Sequence, residues 1–342
     1  FRNVARFALV ASFCFGLFAG VPLLLHLGQP QRAFNIFFTP HTTSAMSIFG
    51  YVYAGYMVLL TLELWFVYRE HIIRQANTTT GWQQPIWTAL TLGVTEFTPQ
   101  AGQVDKKFID FFAVLGIPWA FLLHGYVGFV FGSVKAIAWW ATPLQPIIFL
   151  ISAVVSGIAM LALMYSFIRW RNAATFDLAM LKKLMTTLWV VFAIALTIEV
   201  LEVVYAAYEH GHHWSVIGPL LSGPLFGTYV IGQLLLFSLV PLVMLGYVVL
   251  VDPPPRPFLF LANFSCLLIV LQVLFMRFNV VIGGQLISKS NRGYSEFHFE
   301  WFAKEGVLLS LVVLAAPFVT YYLISRVVPI FEDRPLGGGT PS

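Results

Sequence analysis

The chain has 342 residues, of which 59% are hydrophobic and only 10% charged, with a formal net charge of +4. Its mean hydropathy is +0.82. A soluble domain carries roughly 25% charged residues, so this composition excludes an ordinary soluble protein and requires apolar surface to face lipid. The small net charge reads as loop bias and gives no nucleic-acid footprint. Cys14 and Cys266 lie in separate apolar runs, and there is no CxxC or CxxCH pattern. The chain itself therefore offers no ligand set for an iron–sulfur cluster, a structural zinc or a covalent haem. The sequence starts at Phe1 without a Met and shows no cleavable signal peptide, which leads to the expectation that upstream sequence is missing.

A helix that crosses ~30 Å of hydrocarbon needs about 20 residues. Eight apolar runs reach that length, at 4–27, 47–68, 108–132, 145–168, 184–208, 224–251, 257–281 and 306–329. Turn chemistry such as Asp252-Pro253-Pro254-Pro255-Arg256 separates them. The longest linker, 69–107, is mostly polar, and its stretch 82–94 is expected to lie along the membrane interface. The pattern predicts an all-α polytopic membrane helix bundle with eight transmembrane helices in a single domain over 1–342. Thirteen of the 19 Lys and Arg residues fall on the side of Phe1. Arg32, Lys135, Arg277, Lys289, Arg292 and Lys304 fall on the other. By the positive-inside rule, the first side is cytoplasmic, together with the loop 69–107 and the tail 330–342, and the second faces outward. The expected location is the inner membrane of a bacterium or archaeon, with both ends cytoplasmic.

Ionisable groups at membrane depth are costly, so each is a functional candidate. His124 stands about eight residues short of the outer end of the third span, roughly 12 Å deep at the helical rise. It shares a face with Gly116, Ala120, Gly128 and Gly132, and small residues at this spacing mark a close helix contact. His124 therefore points into the bundle, either as a ligand contact or as a hydrogen-bonded structural histidine. Tyr126 lies roughly 200° around the same helix. Glu199 and Glu202 share a face of the fifth span, and two carboxylates this close disfavour double ionisation. They suit proton exchange, or form a pair neutralised by a partner, for which Arg277 at comparable depth is available. Arg277, Asn279 and Gln285 around Gly283-Gly284 suggest a shaped outer pocket or an interfacial helix end. Glu63 in the second span marks a cytoplasmic entry for protons or a snorkelling side chain. His210, His212 and His213 form an HxHH loop that reads as solvated rather than as a metal site. No metal site is expected. The polar set, with His26, gathers in the outer half. There a quinone headgroup fits, since its two carbonyl oxygens each need a donor and its reduction needs protons.

Several motifs carry a family resemblance. They are HLGQPQR at His26–Arg32, Pro40, SAMS at Ser44–Ser47, Gly116-Ile-Pro118, His124-Gly-Tyr126 and Gly128. They continue with WATPLQP at Trp140–Pro146, then Ser152, Ser156-Gly157 and RFNVVIGGQLISK at Arg277–Lys289. Together, over nearly the whole chain, these resemble the NrfD/PsrC family of quinone-interacting membrane subunits. The ending looks most like the DsrP-type members, which are related to HybB-type hydrogenase subunits. The resemblance implies two four-helix bundles, no haem or iron–sulfur cluster on this chain, and quinone (menaquinone or ubiquinone) bound near the periplasmic face. Its quinone site would draw on Tyr126, His124, His26, Arg277 and Asn279, with Tyr126 favoured because some relatives place a quinone-contacting tyrosine there. Glu199, Glu202 and Glu63 would serve proton transfer. A DsrP-type complex implies several partners: a periplasmic ferredoxin-like iron–sulfur subunit, a multihaem cytochrome c, a haem b membrane subunit and a cytoplasmic iron–sulfur subunit. The match starts at what is usually an internal span, so one or two upstream helices are expected to be missing. Two other readings stay open. One is a haem b subunit using His26 and His124 as axial ligands. The other is a transporter, against which the outer bias of the polar groups counts.

Overall fold

Eight helices are long and apolar enough to cross a membrane among the described residues. The computed structural model describes residues 2–172, 176–287, 293–295, 297–304 and 306–330, with the side chains of 2, 3 and 212 excepted. The chain is a polytopic helical membrane protein. Its spans are Val4–His26, Ala45–Thr78, Pro99–Gly132, Gln145–Arg171, Leu178–Glu209, Phe226–Val251, Pro255–Leu286 and Val307–Ser325, here called the first to the eighth. The tail 331–342, with Arg334, lies outside the described residues, as do Lys289 and Arg292.

The second and third spans outrun the apolar runs at 47–68 and 108–132 that announce them. At 34 residues each, or roughly 51 Å at the helical rise, they exceed the hydrocarbon thickness. The extra turns are polar and hold each other: Arg69 Nη1 meets Asp105 Oδ1 at 2.6 Å, both largely buried. A pair of this kind extends a helix where hydropathy alone would end it. Within the linker, Gln84–Leu90 forms a short helix. It is tied back by Trp65 Nε1 donating to the Leu90 carbonyl at 2.9 Å and by the His71–Trp87 ring contact. Ile86 on it, and Trp82 and Leu92 beside it, stay exposed.

The chain separates into two units, Phe1–Leu123 with Phe299–Ser342, and His124–His298. The first holds the first, second and eighth spans and most of the third. Tyr53 donates to the Gly16 carbonyl at 2.7 Å, Trp119 to the Val52 carbonyl at 2.9 Å, and Phe7 packs edge-on against Tyr321. Gly55 is needed here, because a Cβ on it would stand 2.5 Å from the Trp119 ring.

The second unit holds the fourth to seventh spans. Asp177 caps the fifth by accepting from Met180 N at 3.0 Å, as short polar side chains do at helix starts. Asp252 ends the sixth in the left-handed region, φ 50°. The prolines after it cannot continue that helix and instead open the next. Lys182 bridges to Asp252 across this end at 2.6 Å. Gly128, on the last turns of the third span, lies against the start of the fourth: a Cβ there would stand 2.5 Å from the Gln145 carbonyl oxygen. Trp140 Nε1 donates to the Val280 carbonyl at 2.6 Å, which fixes the 139–146 turn on the seventh span. Two stretches, Phe226–Leu239 and Asn279–Gly283, are wound as π-helix, the wide winding with i→i+5 bonds that usually occupies a single turn.

A buried carboxylate and its amides

The centre of the second unit is polar. Glu199 lies ten residues before the end of the fifth span, about 15 Å along the axis, and is buried. Both its oxygens accept from amides. Gln233 Nε2, on the first π-wound stretch, donates to Oε1. Gln272 Nε2, on the seventh span, donates to Oε2 at 3.1 Å. Gln233 in turn accepts from Asn279 Nδ2 at 2.7 Å. Gln233 and Asn279 are completely buried. A carboxylate that only accepts fixes this chain, since each amide must point its NH2 toward the charge and its oxygen away. Asn279 Oδ1 is therefore left at the end of the line, enclosed and without a partner.

A cavity of about 40 Å³ adjoins this chain, walled by Glu199, Glu202, Gln233, Asn279, Gln145 and His213 among others. It has room for two or three water molecules. Among the described residues, the fully enclosed side-chain atoms on this wall without a hydrogen-bond partner are Glu202 Oε1, Asn279 Oδ1 and Gln145 Oε1. All three are acceptors. Gln145 is oriented by its own bond, Nε2 to the Trp139 carbonyl at 3.4 Å. A smaller cavity of about 10 Å³ also borders Glu199, walled by Ser152, Val155, Phe192, Ala195 and Gln272 among others.

Arg277 binds the fourth span. Its Nη2 donates to Ser152 Oγ at 2.8 Å and to the Phe149 carbonyl at 3.2 Å. The guanidinium carbon sits 3.6 Å from the centre of the Phe149 ring, a contact that gains strength when desolvated. Its Nη1 is enclosed without a partner. Among the described residues no ion pair joins Arg277 to Glu202; the arginine's bonds run to the fourth span instead.

Of the residues singled out in the sequence, Glu199, Glu202 and Asn279 come together on the cavity wall, and Arg277 lies two residues before Asn279 on the seventh span. His124 and Tyr126 are half-buried on the third span, where Tyr126 packs against Phe129 with ring centres 5.3 Å apart. His26 is exposed at the end of the first span, and Glu63 half-buried in the second. His213, read in the sequence as loop, is half-buried on the cavity wall, its Nε2 donating to the Ala138 carbonyl at 2.5 Å. Gln145, Gln233 and Gln272 were not singled out as site residues. Their signal was available, because an amide inside a long apolar run is as conspicuous at membrane depth as a charge.

A family model described as "Polysulphide reductase, NrfD" matches residues 1–289. The chain belongs to the NrfD family. Among the proteins similar to it is a selenate reductase subunit of Mesobacillus selenatarsenatis, 29% identical, with 98% of this chain and 79% of that protein covered. A putative membrane subunit of dimethyl sulfoxide reductase from Halobacterium salinarum is 23% identical over 65% of this chain and 49% of its own length. Membership of the NrfD family agrees with the eight spans.

Proposed function

We propose that this chain is the quinone-interacting membrane subunit of a respiratory reductase complex, exchanging electrons between a membrane quinone and an iron–sulfur partner subunit. The observation that carries the reading is the NrfD match over 1–289. The two relatives, each named as one subunit of a reductase, support a catalytic reductase subunit as a further partner. The DsrP-type assembly, with multihaem cytochrome c, haem b and cytoplasmic iron–sulfur subunits, rests on the ending at Arg277–Lys289 alone. The inward-facing ends and inner-membrane location rest on the distribution of Lys and Arg.

The cavity beside Glu199, at about 40 Å³, is smaller than a quinone ring, which favours a headgroup site at the third span. Tyr126 supplies a hydroxyl suited to a quinone carbonyl oxygen; His124, roughly 200° around the same helix, and His26 stand as separate candidate contacts. Quinone chemistry is then the two-electron, two-proton exchange of the ring. This chain's part is to hold the headgroup by those donors and to keep protons moving at the buried carboxylates. Asn279, proposed from the sequence as a quinone contact, is better placed as a support of the Glu199 chain through Gln233, while Arg277 stays a proposed contact that is bonded to the fourth span. Glu63 remains a proposed proton entry on the first unit.

Binding of a short-chain menaquinone and a short-chain ubiquinone to the purified chain in nanodiscs tests the reading, followed by quenching of tryptophan fluorescence. Saturable binding of one, weakened in Tyr126→Phe, is expected. Absence of saturable binding by either would remove the quinone reading.

A further inference from the structure

Glu199 lines two cavities. It walls both the 40 Å³ cavity and the 10 Å³ cavity. The two amides that hold it are divided between them: Gln233 walls only the first, Gln272 only the second. Each amide donates to a different oxygen, Gln233 to Oε1 and Gln272 to Oε2. A carboxylate held only for stability needs no space on either side. Here the first cavity presents enclosed acceptors in want of a donor, and such polar pockets are where buried water resides.

We propose that Glu199 is a proton relay between these two cavities, with Gln233 and Gln272 as the latches of its two oxygens. The inference rests on the proton-transfer role proposed above and names its residue and its path. A protonated water in the first cavity gives its proton to Oε1: one O–H bond forms on the carboxyl group and one breaks on the donor. Gln233 then turns its amide, so that its oxygen accepts the new O–H. Asn279 follows, and its freed NH2 points to the cavity where Oδ1 pointed before. Rotation of the carboxyl group, a broad twofold torsion, carries the proton to the side of Gln272. There it passes to a water in the second cavity, the carboxylate is restored, and Gln233 and Asn279 turn back so that Gln233 again donates to it. No electron moves. The wide π winding at Gln233 and Asn279 places both amides on stretches of backbone already out of α-helical register, as at many functional sites.

The titratable and charged groups around Glu199 come from every element packed on it except one. They are Glu202 on its own span, Tyr229 on the sixth, Arg277 on the seventh and His213 on the short helix His212–Ser222. The fourth span contributes only the uncharged Gln145 and Ser152.

Infrared spectroscopy of the purified chain in nanodiscs tests the relay without any quinone. The signal is the carboxyl stretch that titrates with pH and is lost in Glu199→Gln. In D2O it should shift by exchange while the protein stays folded, which needs no other variant. Ala206→Leu narrows the first cavity and Ala195→Leu the second. Each alone should leave exchange running through the other side, and the two together should slow it by about tenfold or more, because exchange then waits for local opening of a packed core. Thermal midpoints of the variants confirm folding. A wild-type carboxyl that does not exchange would overturn the proposal. So would exchange abolished by one substitution alone, since Glu199 would then open to one side only. Failure of quinone binding with exchange intact would remove the quinone reading and leave the relay standing.

Discussion

Replacing Gln233 by leucine is the sharpest test of the buried amide chain. The side chain is 0% exposed, and leucine is close to it in size, so packing changes little. Two hydrogen bonds vanish, one to Glu199 and one from Asn279. The substitution strands a carboxylate oxygen and an amide N–H, and each stranded buried group costs ~1–3 kcal/mol, more when charged. Hydrogen bonds between membrane helices average ~0.6 kcal/mol in mutant cycles, because groups find other partners. Glu199 also has one such escape, by taking up a proton. The expected loss is therefore ~2–4 kcal/mol, between these limits. Adding Glu199→Leu removes the stranded carboxylate, so the double variant should lose less than the sum of the two, with a coupling of ~1–2 kcal/mol. Reversible unfolding in mixed micelles by added sodium dodecyl sulfate, followed by tryptophan fluorescence, measures all three variants. A Gln233→Leu loss below ~0.5 kcal/mol, additive with Glu199→Leu, would refute the reasoning.

Gly128→Ala drives a methyl group into the Gln145–Pro146 backbone, and should destabilise by ~2 kcal/mol or more, as overpacking against immovable atoms does, in the same unfolding assay. Arg69→Ala strands the buried Asp105 and should cost ~3 kcal/mol. Lys182→Ala breaks the exposed pair with Asp252 and should cost under ~1 kcal/mol; similar losses for the two would contradict the burial argument. Arg277→Lys gives up the stacking on Phe149 and the fork toward Ser152 and the Phe149 carbonyl, so it should lower the thermal midpoint more than Lys182→Ala does.

The eight spans were legible because length and apolarity suffice to specify a crossing helix. Their ends were less so. The second span runs ten residues past the apolar run that ends at 68, stabilised by Arg69 and Asp105 from separate helices, and no local signal joins those two. In the site, Glu199 and Glu202 were legible as charges in an apolar run. The amides that hold Glu199 are 34 and 73 residues away in sequence, and periodicity on one helix cannot link them. The π winding around Gln233 and Asn279 has no counterpart in composition, since the residues of Phe226–Leu239 would equally suit an α-helix. The HxHH stretch misled through its polarity, because His213 gains burial only when its own helix, His212–Ser222, brings the ring to the Ala138 carbonyl.

The central claim is quinone exchange with a redox partner, and its most direct test uses the whole complex. The complex is purified with its partner subunits, and quinol is added while the partner's iron–sulfur or haem absorbance is followed, with Tyr126→Phe and Glu202→Gln variants alongside. The account predicts that quinol reduces the partner in the wild-type complex and that both variants are slowed. No reduction by quinol, together with a haem Soret band in the isolated chain, would contradict it and turn His26 and His124 into axial-ligand candidates.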